Sequence, residues 1–178
     1  MKNPYQTPGA KLEPVATRSD IDSLNVSDTW KKRFHIIERA GPFIKGKYQN
    51  ITSLTTRERR VISFNILAFL FSGLYYLAKG MPKKALVLMG FSWIFSAALT
   101  LLETAYHFSA PNSLYWIPLA VVTSMLANHD YYQKKVCQQD MWPTLNVFDS
   151  WAASVLFSML SLGMVFASAM WQQNVFSK

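Results

Sequence analysis

The chain has 178 residues, of which 51% are hydrophobic, and a formal net charge of +8 at pH 7. The first 60 residues carry 12 of its 18 Lys and Arg residues, whereas the remaining 118 contain four apolar runs separated by short polar stretches. This division excludes an ordinary soluble domain and favours an integral membrane protein. The single cysteine, Cys137, excludes an internal disulfide framework and a multi-cysteine zinc site.

Residues 1–27 are predicted to form a disordered tail, because three prolines and scattered polar residues leave little apolar surface to bury. Residues 28–60 are predicted to be a basic, amphipathic region on the cytoplasmic side. Ser27 or Asp28 can cap a helix in which Trp30, Phe34 and Ile37 form an apolar stripe. This helix is expected to lie in the lipid headgroup layer or to pack on the protein's own cytoplasmic loops.

Residues 61–178 are predicted to be the membrane domain. Its first run, 61–78, is just long enough to cross a bilayer, but Ser72 and Gly73 interrupt it. If this run crosses, 13 basic residues lie on the cytoplasmic side and 5 outside; if it enters and returns, the division is 17 to 1. Because basic residues are retained in the cytoplasm, the re-entrant arrangement is favoured, with a bend at Ser72-Gly73.

The other runs, 85–102, 114–127 and 151–171, are predicted to be complete spans. Small residues along the last run, including Ser154, Ser158 and Gly163, indicate that it packs closely against another helix. The predicted fold is therefore an all-α integral membrane protein. It is a small helical bundle with three or four membrane segments and a polar, partly disordered N-terminal tail.

The stretch from Phe64 to Lys84, FNILAFLFSGLYYLAKGMPKK, resembles the signature of a bacterial inner-membrane family known as domain of unknown function 2628. Similar segments are SDTWKKRF, beginning at Ser27, and ANHDYY, beginning at Ala127. The family pattern has Gly-Pro where this chain has Ser72-Gly73. The resemblance implies a small multi-pass inner-membrane protein of a Gram-negative bacterium, and it brings no activity, ligand or catalytic residue with it.

No catalytic, cofactor-binding or metal-binding constellation is recognised. His129 and Asp130 supply too few ligands for a metal and are interpreted as interfacial hydrogen-bonding groups. Basic and aromatic residues near the predicted membrane boundary are candidate contacts for anionic headgroups or a partner protein. These candidates are Trp30, Arg57, Arg59, Arg60, Lys79, Lys83 and Lys84.

The leading hypothesis is a non-enzymatic accessory or scaffold subunit of the bacterial inner membrane, with a cytoplasmic N-terminus. Its expected partners are the bilayer, anionic headgroups, and a second copy or another membrane protein, but not nucleic acid, since the positive-inside rule accounts for the basic residues. The alternative is an oligomeric small channel or transporter component. A lipid-modifying enzyme is disfavoured because no nucleophile motif is recognisable.

Overall fold

A computed structural model describes residues 18–44 and 46–177, without the side chains of residues 18–20 and 176. Within these residues the chain forms seven α-helices and one short antiparallel hairpin. The helices are α1 (Arg18–Ser23), α2 (Asp28–Ala40), α3 (Thr56–Ser63), α4 (Ile66–Ala78), α5 (Pro82–Tyr106), α6 (Ser113–Lys135) and α7 (Trp151–Phe176). The strands are β1 (Phe43–Ile44) and β2 (Lys47–Tyr48), in which Phe43 pairs with Tyr48.

The sequence predicted that residues 1–27 are disordered, but part of this segment is helical. Residues 1–17 lie outside the described residues, but residues 18–23 form α1. Ile21 is completely buried, and Nε2 of His35 lies 2.9 Å from a carboxylate oxygen of Asp22. One apolar side chain and one polar contact therefore dock α1 on α2, which composition alone did not reveal.

The apolar stripe predicted on α2 faces the protein itself. Phe34 and Ile37 are buried, and the Phe34 ring lies 5.7 Å from the ring of Tyr131 and 5.6 Å from that of Tyr132 on α6. Of the two placements predicted for this helix, packing on the rest of the chain is the one observed. The N-terminal region thus forms a cap on one end of the helical bundle.

The long helices α5 and α6 run antiparallel. Lys84 and Asp130 meet at one end, which we call the basal end, and Glu103 accepts a hydrogen bond from the Tyr115 hydroxyl at the other, the distal end. The separation of Lys84 and Glu103 along α5 corresponds to roughly 28 Å at 1.5 Å per residue. This length is close to the hydrocarbon thickness of a bilayer.

Helix α7 packs along α5 in the same direction, beginning at the basal end. Lys83 bonds Asp149 just before α7 at 2.8 Å, and about two turns further along α5 the rings of Phe91 and Phe157 lie 5.1 Å apart. A Cβ atom on Gly90 would lie 2.5 Å from the Phe157 ring, so this contact requires glycine. The predicted close packing of the last run is confirmed at Ser154 and Ser158, which are buried, whereas Gly163 faces open space.

Helix α4 folds back on itself. Ser72 has φ 41° and ψ −115°, a conformation outside the helical region, and it interrupts the helix where the sequence predicted a bend. Asn65 before α4 donates from its side chain to the Tyr75 hydroxyl at 2.8 Å, whereas a straight helix would separate these residues by roughly 15 Å. Both ends of α4 consequently lie at the basal end.

Among the described residues, three helical stretches are long and apolar enough to cross a membrane: Thr56–Ala78, Pro82–Tyr106 and Trp151–Val175. Three is the lower of the two predicted numbers of membrane segments, but the three stretches are not the three that were predicted to span. The first stretch contains the fold-back at Ser72. Helix α6, which was predicted to span, is not among the three, because its second half carries polar residues such as Asn128 and Asp130.

Candidate functional site: a cationic cleft above a buried polar network

The basal end contains a fully buried carboxylate. Asp130 on α6 accepts hydrogen bonds from Lys84 at 2.7 Å, from the Tyr76 hydroxyl at 2.8 Å and from the Trp142 indole at 2.7 Å. Lys84 is only 1% exposed, and its ammonium also lies 5.0 Å from the centroid of the Trp142 ring. Asp130 thereby joins α4, α5, α6 and the loop before α7, and the buried charge is paired as its burial requires.

A second buried group, Asn128, satisfies the backbone where α3 ends and α4 begins. Its side-chain nitrogen lies 3.1 Å from the carbonyl oxygens of Val61 and Ile62 and 3.3 Å from that of Phe64. These carbonyls have lost helical partners because the chain is extended at Phe64 and Asn65. Asn65 completes the junction by accepting from two N–H groups at the start of α4 and donating to Asn128 at 2.9 Å.

A cleft of about 440 Å³ opens beside this junction. Within the part of the chain that the structure describes, its lining includes three cationic side chains, Arg33, Arg60 and Lys79, and no acidic residue. The other lining residues are Ser27, Thr29, Trp30, Val61, Phe64, Asn65, Ile66, Leu67 and Tyr75. The cleft therefore combines positive charge with an apolar wall from α4, and it can hold an anion or an amphiphile with an anionic end.

Two of the cations are placed by aromatic and amide contacts. The Arg33 guanidinium lies 4.4 Å from the Trp30 ring centroid, and Arg33 also donates to Asn128 at 3.0 Å. The Lys79 ammonium lies 5.0 Å from the Trp30 centroid and 4.9 Å from that of Tyr131. Cation–π contacts hold both charges without neutralising them.

The environment of the cleft disfavours its own positive charges. Burial lowers the pKa of Arg33 below its ordinary value. Burial, with repulsion from Arg33 and Lys135, likewise lowers the pKa of Lys79. An anion in the cleft would relieve this electrostatic cost.

The predicted contact residues have three different placements. Trp30, Arg60 and Lys79 come together in the cleft. Arg57 is exposed outside it, and Arg59 lies on the same helix, where its guanidinium donates at 2.9 Å to the carbonyls of Leu54 and Thr52. Helix α3 itself begins with a capping box between Thr55 and Glu58.

Lys83 and Lys84, also predicted to meet headgroups, are engaged inside the protein. Lys83 pairs with Asp149, and Lys84 is buried against Asp130. Lys84 was predicted to contact headgroups at the surface, but it is buried. Its partner Asp130 is 46 residues away in sequence, and nothing local to the Lys83-Lys84 pair indicated burial.

Sequence reasoning missed Arg33 as a site residue. It was recognised as one of several basic residues on α2, but its contact with Asn128 spans 95 positions. One available signal was its spacing of three residues from Trp30, which places both side chains on one helical face.

The sequence profile of the family described as "Protein of unknown function (DUF2628)" matches residues 19–136. The chain belongs to this family, as its motifs indicated. The match covers nearly all of the cap and the whole of α4, α5 and α6, and thus every residue of the cleft. No curated protein and no solved structure was found to match.

Proposed function

We propose that this member of a family of unknown function is a multi-pass protein of a bacterial inner membrane that acts by binding rather than catalysis. In this proposal the N-terminal cap lies in the cytoplasm, and the protein serves as an accessory or scaffold subunit. The supporting observation is the cationic cleft, which lies beside an apolar helix surface at the basal end of the bundle. A positive site next to apolar surface is typical of proteins that work at the membrane interface.

The proposed topology has α5 and α7 crossing the membrane and α4 entering and returning. Helix α6 is less apolar, but in this proposal it crosses beside α5 because the two helices are hydrogen-bonded at both ends. The fold-back at Ser72 supports re-entry, because it keeps both ends of α4 near Asp130 and Asn128. Large exposed side chains, such as Leu74 on α4 and Leu160 on α7, suit contact with lipid. The positive-inside rule then assigns the basal end to the cytoplasm.

Cysteine labelling in intact cells and inverted vesicles tests this topology. In a Cys137→Ser background, Ala78→Cys at the end of α4 and Asn146→Cys before α7 are expected to react only from the cytoplasmic side. Asn112→Cys, between α5 and α6, is expected to react only from outside and is the matched control. External labelling at position 78 or 146, or labelling of position 112 from the cytoplasmic side, would contradict the proposed topology.

The accessory role is tested by purifying the tagged protein from its native membrane in mild detergent. Mass spectrometry of the bound components and the mass of the intact complex are measured together. A stoichiometric foreign protein is the expected result and would identify the process. A complex that contains only copies of this chain would contradict the accessory role.

An oligomeric channel or transporter component is the second candidate. Helices that break within the membrane line the substrate sites of many transporters, and α4 is broken at Ser72. The Asn65–Asn128 pair supplies buried polar groups where the two ends of this broken helix meet. Solute or ion flux in liposomes containing the purified protein, compared with empty liposomes, tests this candidate.

A further inference from the structure

The geometry points to the cleft between α2, α3 and α4 as a binding site for one anionic phospholipid, with the headgroup phosphate held among Arg33, Arg60 and Lys79. This inference rests on the proposed function, because it requires the basal end to face a membrane surface. It goes beyond a diffuse basic collar, since it assigns a single site with defined residues. The ligand chemistry is a phosphate bearing negative charge and carrying acyl chains.

The charge balance of the cleft favours an anion. Among the described residues, three cationic side chains and no acidic one line it. Of the carboxylates nearby, Asp130 binds Lys84 and Glu58 binds Arg39. Asp28, between Ser27 and Thr29, is exposed and does not line the cleft. Within the described residues the Arg60 side chain makes no hydrogen bond or ion pair, so its guanidinium is available to a ligand.

The polar end of the cleft suits phosphate oxygens. Arg33 and Lys79 lie on the same indole, Trp30, at 4.4 and 5.0 Å from its centroid, which brings two positive charges close together. Such an arrangement supplies several charge-assisted donors to one phosphate group. The start of α2 contributes as well, because Ser27 lines the cleft and its side chain makes no capping hydrogen bond to the helix.

The apolar side of the cleft favours a lipid over a soluble phosphate. Phe64, Ile66 and Leu67 line it and remain 42%, 59% and 52% exposed. Leu70, one turn further along α4, is 63% exposed. Acyl chains can therefore leave the cleft along the surface of α4, in the direction that the proposed topology assigns to the bilayer.

The test measures binding of phosphatidylglycerol with short acyl chains to the full-length protein in neutral detergent by native mass spectrometry. Phosphatidylcholine with the same chains and glycerol 3-phosphate are the comparison ligands. We expect one retained phosphatidylglycerol per chain and weaker binding of both comparison ligands. Arg60→Gln and Lys79→Gln are each expected to weaken phosphatidylglycerol binding about tenfold, as loss of a charge-assisted contact does.

Arg57→Gln is the matched control. It removes the same charge from the same helix as Arg60→Gln, and Arg57 is exposed outside the cleft. We expect its affinity to change less than about threefold, as for a screened surface charge. Thermal unfolding of each variant verifies that the fold is retained, and Arg60→Gln removes no bond within the described residues.

Each contrary result has a distinct meaning. Equal losses in Arg57→Gln and Arg60→Gln would overturn the defined site in favour of a diffuse collar. Glycerol 3-phosphate binding as tightly as phosphatidylglycerol would overturn the lipid assignment in favour of a soluble phosphate ligand. Failure of the proposed function is seen separately, because cysteine labelling and co-purification do not depend on these affinities.

Discussion

Replacing Asp130 with asparagine is expected to destabilise the protein more than any exposed charge change. The substitution keeps the shape of the side chain but removes the negative charge from a site that is 0% exposed. Lys84 then remains 1% exposed without its carboxylate. An ammonium left unpaired in the interior costs about 3–5 kcal/mol of unfolding free energy.

The matched control is Asp140→Asn. Asp140 also pairs with a lysine at 2.8 Å, Lys134, but its side chain is 54% exposed. An exposed pair of this kind contributes about 0–1 kcal/mol because water solvates both charges. The identical chemical change at the two positions therefore separates the effect of burial from the effect of the substitution.

Unfolding in mixed detergent and sodium dodecyl sulfate, followed by circular dichroism, measures both free energies. The double variant Lys84→Met/Asp130→Asn is expected to recover part of the loss, since the unpaired ammonium is gone. If Asp130→Asn costs no more than Asp140→Asn, the buried pair is not a stabilising requirement of the fold. If the double variant is less stable than Asp130→Asn, the loss does not arise from an unpaired lysine.

Two further substitutions test the helix contacts by the same unfolding measurement. Gly90→Val is expected to destabilise the protein by about 1–3 kcal/mol, because any Cβ at this position meets the Phe157 ring. Gly163→Val is the control and is expected to change the free energy of unfolding much less, because a Cβ at Gly163 meets open space. Equal effects would contradict the packing of α5 on α7. Ser72→Gly is expected to stabilise by about 0.5–1 kcal/mol, because φ of 41° is unfavourable for serine, and a loss of stability would show that the serine side chain itself is needed.

The apolar runs predicted the cores of α5, α6 and α7, because a continuous apolar stretch of that length has few alternatives to a helix. The bend at Ser72 was also predictable from Ser-Gly inside an apolar run and from the charges on either side. Local composition sufficed for these features. It did not suffice for α1, where the burial of Ile21 depends on a surface formed by other parts of the chain.

The candidate site was predictable only in part. Aromatic and basic residues near a membrane boundary identified Trp30, Arg60 and Lys79. The same criterion selected Lys84, which is buried, since the criterion does not reveal which lysine faces a carboxylate. Pairing between distant positions is the information that a single sequence lacks.

The junction between α3 and α4 and the neighbouring cleft both depend on one residue, Asn128. Its amide nitrogen bonds the carbonyls that the end of α3 leaves free, and its oxygen accepts from both Asn65 and Arg33. The Asn128 amide that stabilises this junction therefore also orients Arg33, one of the cations of the cleft. A ligand that binds Arg33 meets a side chain already fixed by the backbone of the junction, so little conformational entropy is lost on binding. The conformational cost of ordering Arg33 is therefore met when the chain folds and the junction between α3 and α4 forms.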